Sequence, residues 1–489
     1  MTKIAIEGLK PALLWEHFYG ISQIPRPSKD EERVSKYVIG VAERNGFEYR
    51  LDAVKNIVVR KPATPGMENT PVVILQSHLD MVCEKNKDTV HDFDKDPIRL
   101  LRDGDWITAD GTTLGADNGI GVAAALAVMD SKDVAHGPME FLFTIDEETG
   151  LTGAIELGED MLEGRVLLNM DSEEDGAMYI GCAGGRDTVI SFPLKTEMVP
   201  SGYAAKHVRI GGLLGGHSGL QISSGLGNGL KLLTRFLHRC LEDFDVRLAH
   251  IDGGSMRNAI PRECDAVIYI PLEKDAAINE IASEFDKVFK DELKLVDADV
   301  FLRLEESGFN APQQVFAKDL QTRLLNMLYG MPHGVLAMSQ AVPGLVETST
   351  NLAVIKTHDD HILVHTSQRG SVASGLQDAV NMVSASAKLA QADIRYSNGY
   401  PGWEPNPDSK LLHLAKGVHE QRFGKAPEIL AIHAGLECGI IGAKFPGMDM
   451  VSFGPTITGA HSPDEQVQIS TVERFWDFLV GILEAVGKK

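Results

Sequence analysis

Apolar and polar residues follow two rhythms along the first part of the chain. Leu9–Phe18 and Lys29–Asn45 repeat apolar positions three and four residues apart, which predicts helices. Asn56–Arg60 and Val72–Gln76 are short apolar runs that predict strands, with a Pro/Gly loop over Pro62–Thr70 between them. Gly119–Met129 predicts a helix of small residues able to pack closely on a sheet. Met139–Ile145 and Val166–Met170 predict further strands. Strands alternating with helices imply an α/β sheet covered on both faces.

The pattern changes at Gly181–Arg186 (GCAGGR), a predicted hinge. From His207 to about Ala390 it reads as doubled. One half runs strand (Val208–Ile210), helix (Gly227–Leu241), strands (Val246–Ile251, Cys264–Ile270) and helix (Ala276–Phe289). The other runs helix (Leu320–Leu328), strands (Val335–Ser339, His361–Thr366) and helix (Gly375–Leu389). Ser397–Asp408, dense in Gly, Pro and Asn, is a second predicted hinge. After it come a helix at Ser409–Arg422, strands at Glu428–Ala431 and Met448–Phe453, and a terminal helix at Val472–Val486. The expected division is therefore a catalytic domain from residues 1–186 and 401–489, with a mixed sheet flanked by helices. Residues 187–400 form an inserted α+β lid domain of two related subdomains.

Composition narrows the function. At 489 residues the chain needs more than one core, and 43% apolar with 24% charged residues is normal for a globular protein. A formal charge of −22 repels phosphates and anionic membranes, so neither nucleic acid nor membrane is an expected partner. The five cysteines (Cys83, Cys182, Cys240, Cys264, Cys438) are scattered and form no C-x-x-C pair. That argues against a disulfide framework and a thiolate zinc site, and for a reducing cytoplasmic compartment. The N-terminal stretch has no signal-peptide core, and the longest apolar run, Ile120–Met129, is too short to span a bilayer.

The chemistry gathers where predicted strands end. VVILQSHLD runs into His78-x-Asp80, and on extended chain residues two apart share a face. His78 could bind a metal while Asp80 holds its other nitrogen; the same residues could form a polar turn. Asp117 and Asn118 precede the small-residue helix, where an N-cap is the plainer reading. Asp117 is also placed to bridge two cations. MEFLFTIDEETG delivers Asp146, Glu147 and Glu148 from a buried strand into a glycine turn. Adjacent residues face opposite ways, so one of Glu147 and Glu148 can ligate while the other faces substrate. GRVLLNMDSEEDG repeats the pattern with Asp171. A solvated loop is the alternative for both. GPTITGAHSPDEQV supplies His461, which alone is weak evidence. Together, two histidines and three carboxylates without thiolate suit zinc, manganese or cobalt, and five ligands suit a pair of ions that activates water.

HLD, GADNG, DEETG, NMDSEE and GAHSPDE, in this order, resemble the metal motifs of the co-catalytic zinc peptidases, a family that includes carnosinases, aminoacylases and glutamate carboxypeptidases. The likeness extends over nearly the full length. It implies two divalent ions per chain, zinc before cobalt or manganese. Asp117 would bridge them, His78 and Asp171 would complete one site, and Glu148 and His461 the other. Glu147 would be the general base and Asp80 would orient His78. A cis peptide between Asp117 and Asn118 is also implied.

In the inserted domain, GGHSG (His217), RNAIP (Asn258) and SQRGS (Arg369) resemble lid residues that hold substrate. Arg369 would take a terminal carboxylate. Where many relatives carry an acidic-arginine motif, this chain reads HAGLECG, with Glu437 a candidate for the substrate's amino group. The implied activity is hydrolysis of dipeptides, preferentially Xaa-His dipeptides such as β-alanyl-histidine, by a cytoplasmic enzyme, with a homodimer as the candidate assembly. A tripeptidase, an aminoacylase or a non-catalytic metal-binding protein are the alternatives. Glu147 argues against the last, because a storage site needs no base.

Overall fold

The computed structural model describes residues 2–307 and 311–487. The chain divides into two compact units. The first comprises Met1–Gly181, Trp403–Ala431 and Leu436–Lys489. The second comprises Cys182–Gly402 and the short segment Ile432–Gly435.

The first unit is built on an eight-stranded mixed sheet. Its strand order is Glu48–Leu51, Ile57–Lys61, Met139–Thr144, Val73–His78, Val166–Asn169, Asp449–Ser452, Ala177–Cys182 and Glu428–Ile432. Val73–His78 runs parallel to Met139–Thr144 and to Val166–Asn169, and the latter runs parallel to Asp449–Ser452. The first two of these strands are buried throughout. Burial on both faces is why they read as continuous apolar runs rather than alternating ones. The register pairs His78 with Thr144 and Gln76 with Asn169, so the parallel strands finish side by side. Whatever follows them meets at one carboxyl edge, where sites of open α/β sheets lie.

The helix Ala116–Asp130 packs on this sheet and on the helix Ala12–Ser22. Thirteen of its fifteen residues are buried, which only a run of Ala, Gly and Val permits at such close range. Gly121 is the tightest point. A Cβ there would lie 2.6 Å from the Met170 carbonyl oxygen. The helix at Leu9–Phe18 was expected to start earlier than it does. Pro11 stands at its N-cap, and the helix begins at Ala12. A four-stranded sheet of Leu100–Asp103, Trp106–Ala109, Gln466–Gln468 and Ile457–Thr458 was not expected. It anchors both ends of the loop that carries His461.

The second unit is α+β. Its nine-stranded sheet has the order Phe301–Glu306, Tyr203–Gly211, Cys264–Pro271, Arg247–Gly253, Val346–Thr357, His361–Gly370, Gly184–Pro193 and Asp393–Tyr396, with Gly334–Met338 also paired to Val346–Thr357. The doubled pattern seen in sequence lies within this one sheet, whose halves join where Gly253 pairs with Ile355. Helix Gly229–Phe244 turns Leu230, Leu233, Phe236, Leu237 and Cys240 into its core. Among the described residues no helix is long and apolar enough to cross a membrane, and none of the five cysteines is in a disulfide.

Candidate metal centre

The strand Val73–His78 ends in a fully buried imidazole, 1% exposed. His78 Nε2 lies 3.1 Å from Asp117 Oδ1 and 3.3 Å from Asp171 Oδ1. On the other side of Asp117, Oδ2 is 3.1 Å from His461 Nε2, which is also 3.1 Å from Glu148 Oε2. Asp117 therefore turns each oxygen toward a different histidine. Of the four side-chain groups able to hold a metal ion among the described residues, His78–Asp117–Asp171 and Asp117–Glu148–His461 share Asp117; the others are His78–Glu147–Glu148 and Glu31–Asp80–Asp146.

The N-cap alternative for Asp117 does not describe what is seen. Its carboxylate oxygens face His78 and His461, the peptide to Asn118 is cis, and both residues depart from helical φ/ψ. Asn118 instead donates from Nδ2 to the Met170 carbonyl at 2.8 Å and to Asp171 Oδ1. That ties the helix to the strand end bearing Asp171.

Asp80 is fully buried and does more than accompany His78. Its Oδ1 lies 3.3 Å from His78 Nδ1, outside good hydrogen-bond geometry. Its well-formed bonds come from the amides of Glu147 (3.1 Å) and Glu148 (3.2 Å) and from Ser28 Oγ (2.7 Å). Asp80 thus fixes the backbone that presents both glutamates. Burial disfavours its charge, yet His78, Ser28 and the Glu147 amide hold its carboxyl down to about 2.

The other groups are set apart by their surroundings. Burial opposes the charge on His78, but Asp171, Asp117 and Asp80 outweigh it and raise the imidazole well above its ordinary value. His461, bonded to Asp117 and Glu148, is pushed up to about 11. Burial raises Asp171 to about 6, with His78 opposing and Asp117 adding to the rise. Glu147 is raised well above the carboxylate range by burial. His78 opposes that rise, and Asp171, Glu437 and Glu148 add to it.

Glu437 opens the helix Glu437–Lys444 and is completely buried. Its Oε2 accepts from Gln76 Nε2 (2.5 Å) and Thr144 Oγ1 (2.8 Å), while Oε1 has no partner. Burial lifts it to about 7 against the influence of His78 and Thr144.

The remaining candidates lie in the second unit. His217 Nδ1 accepts from the amides of Gly219 (3.2 Å) and Leu220 (3.0 Å). Those bonds leave Nε2 to carry the proton in the neutral ring. Burial and Arg369 lower its pKa and keep it neutral. Arg369, 8% exposed, donates from Nη1 to Tyr400 Oη at 3.3 Å, and its Nε is unpartnered. Asn258 is exposed, and its carbonyl accepts from the Ser218 amide. Arg369, Asn258, Arg257, Asp187 and Tyr400 line one cavity of about 360 Å³.

Three residues at the metal centre escaped the sequence reading. Arg26 and Ser28 lie in an N-terminal loop with no local signal of a role. Glu465 stands in the quoted GAHSPDE segment, four residues after His461, where its acidity alone gave no reason to single it out.

Residues 74–485 match the model of Peptidase family M20/M25/M40. The chain is 45% identical over 484 residues to the cytosol non-specific dipeptidase of Escherichia coli (strain K12), covering 99% of both. Its structure resembles that of aminoacylhistidine dipeptidase from Vibrio alginolyticus with a TM-score of 0.92, 46% identity and 99% of both chains covered. It shares a fold with aminopeptidase PepT from Bacillus cereus ATCC 10987, with a TM-score of 0.57 at 15% identity, covering 98% of this chain and 99% of that one. The chain belongs to Peptidase family M20/M25/M40.

Proposed function

We propose that this chain is a cytoplasmic dipeptidase that works with two divalent cations, and that Xaa-His dipeptides such as β-alanyl-histidine are among its preferred substrates. One observation carries the reading: Asp117 aims its two oxygens at two separate imidazoles, each with a further carboxylate beside it. Six carboxyl groups (Asp80, Asp117, Glu147, Glu148, Asp171, Glu437) crowd around only two histidines, and Glu148 Oε1 is buried without a partner. Such a surplus of buried negative charge is costly unless cations compensate it. The donors are nitrogen and oxygen only, which fits zinc, cobalt or manganese. His78 and Asp171 would hold one ion, Glu148 and His461 the other, and Asp117 both.

When bound, the pair of ions would lower the pKa of a water and polarise the scissile carbonyl. Glu147 would take the proton of the attacking water and later return it to the leaving nitrogen. Asp80 accepts from the Glu147 backbone amide at 3.1 Å, which fixes that residue next to the proposed ligand Glu148. His217, neutral with its proton on Nε2, would donate to the developing oxyanion. The guanidinium of Arg369, with Asn258, would take the terminal carboxylate, and the free Oε1 of Glu437 the terminal amine. The names of the E. coli and Vibrio relatives support dipeptide substrates and differ on how broad the specificity is.

The test is a substrate panel after metal removal and reconstitution with zinc, cobalt or manganese. It should include β-alanyl-His, other Xaa-His and non-His dipeptides, tripeptides and N-acyl amino acids. Dipeptides should be cleaved fastest, Xaa-His foremost. Faster cleavage of tripeptides or N-acyl amino acids overturns the dipeptidase reading. Equal rates across all dipeptides would overturn only the histidine preference.

A further inference from the structure

Behind the proposed ligands, two buried residues of opposite charge grip the same loop. Glu465, 2% exposed, accepts four consecutive backbone amides. Oε2 takes those of Leu114 (2.7 Å) and Gly115 (2.9 Å), and Oε1 takes those of Ala116 (2.7 Å) and Asp117 (3.3 Å). Arg26, 3% exposed, donates from Nη2 to the Gly115 carbonyl on the other side of that loop. From Nη1 it also donates to the carbonyls of Leu79 (2.8 Å) and Asp80 (2.6 Å). A buried charge is tolerated only when hydrogen-bonded or paired, and here peptide groups serve both charges. The geometry admits no side chain at residue 115. Gly115 has φ +69°, and a Cβ there would meet Arg26 Nη2 at 2.6 Å and Met81 Sδ at 2.8 Å.

We propose that Glu465 and Arg26 are positioning residues that set the Asp117 loop between the two histidines, and that Glu465 chiefly determines binding in the Asp117–Glu148–His461 site. This rests on the two-cation reading above. Neither residue offers an atom to the metal groups. Between them they hold three segments: the one after His78, the one ending in Asp117, and the one after His461.

The two sites depend on them unequally. His78 terminates a buried strand, and Asp171 follows another, so the sheet places both. His461 is 55% exposed on a loop with φ +62°. That loop is held downstream by Glu465 itself, whose own carbonyl accepts from Thr108 Oγ1 at 3.0 Å. Asp117 and His461 are thus referred to each other through one carboxylate. Glu465→Gln turns an amide NH₂ toward backbone donors and loses about half of the acceptors. Glu465→Asp keeps the charge with a shorter reach.

The test is cobalt(II) titration of the metal-free full-length chain, followed by d–d absorption and equilibrium dialysis, with unfolding monitored in parallel. Wild type should take up two equivalents. In E465Q the second equivalent should bind about 10- to 100-fold more weakly, as for lost supporting bonds behind a metal ligand. The first should stay within about threefold, and the absorption of the second ion should change. E465D should recover part of the loss, and it carries the same comparison if E465Q does not fold. Wild-type affinity for both equivalents, with only a lowered unfolding temperature, would make Glu465 a structural brace and overturn the assignment. A wild-type chain that takes up fewer than two equivalents would instead overturn the two-cation reading, and this assignment with it.

Discussion

Gly121→Ala is the perturbation whose consequence follows most directly from the packing. The added methyl would sit 2.6 Å from the Met170 carbonyl oxygen and 2.1 Å from Asn118 Oδ1. Ordinary contact begins at 3.4 Å, so the helix Ala116–Asp130 must move from Met170 by about 0.8 Å, and that backbone oxygen cannot swing away. Overpacking of this kind costs about 1–3 kcal/mol. Alanine in a helix interior recovers about 1 kcal/mol relative to glycine. The net loss of stability should therefore be only about 0–2 kcal/mol. The site is affected more. The displaced segment carries both Asp117 and Asn118, and Asn118 bonds Met170 and Asp171. A misplacement near 1 Å is worth about 100-fold in rate, or roughly 2.7 kcal/mol. Thermal unfolding, cobalt titration and kcat/KM for a dipeptide should be measured side by side, with Gly40→Ala as control. Gly40 also lies in a helix, Glu32–Asn45, but has nothing within 4 Å of the new methyl. G40A should be neutral or slightly stabilising. The reasoning fails if G121A keeps kcat/KM within about twofold of wild type.

Glu147→Gln should lower kcat by about 10²–10⁴ while leaving metal content intact, because its backbone bond to Asp80 is preserved. Near-normal turnover would show that another group takes the proton. In the metal-free chain His461 is pushed up to about 11 and His78 is also raised, so both carry protons at pH 7. Loading the metals should therefore release at least two protons, those of the two imidazoles, and affinity should rise with pH. Calorimetry in buffers of different ionisation enthalpy measures the number, and no release at pH 7 contradicts the charge assignment. In the second unit, burial and nearby cationic side chains (Lys231 for His333, Arg369 for His433) lower both histidines to about 4. Their folded values lie below the unfolded 6.5. The stability they contribute is full above pH 6.5 and is lost as pH falls through about 4. Unfolding temperature should drop across that window, and less steeply in His433→Gln; parallel curves would refute the contribution. Arg369→Ala should raise KM for dipeptides far more than it lowers kcat, and should spare amidated substrates that lack the carboxylate.

The sequence was legible where burial leaves a periodic trace. The parallel strands and the Ala/Gly helix stood out because continuous apolar runs have few alternatives. The first half of the strand Val346–Thr357 leaves no such trace, because Thr348, Ser349, Thr350 and Asn351 are polar yet buried. Their neighbours satisfy them: Asn351 donates to the Ala259 carbonyl at 2.8 Å, and Ser349 Oγ is bonded to His433 Nε2 at 2.7 Å. Short strands such as Gln466–Gln468 exist only because distant partners complete their hydrogen bonds.

By itself the sequence determined the strand-end placement of His78, Glu147, Glu148 and Asp171, since a buried strand that runs into acids must end there. It also set the helix of small residues beside them. Only the tertiary structure decided that Asp117 faces two imidazoles instead of capping its helix, and that Asp80 mainly holds the amides of Glu147 and Glu148. It alone brought Glu465 and Arg26 to opposite sides of one loop. Those outcomes depend on groups about 350 and 90 residues apart in the chain, as with Glu465 and Leu114 or Arg26 and Gly115. Local patterning carries information about a residue's own burial. It carries none about which distant donor will meet a carboxylate.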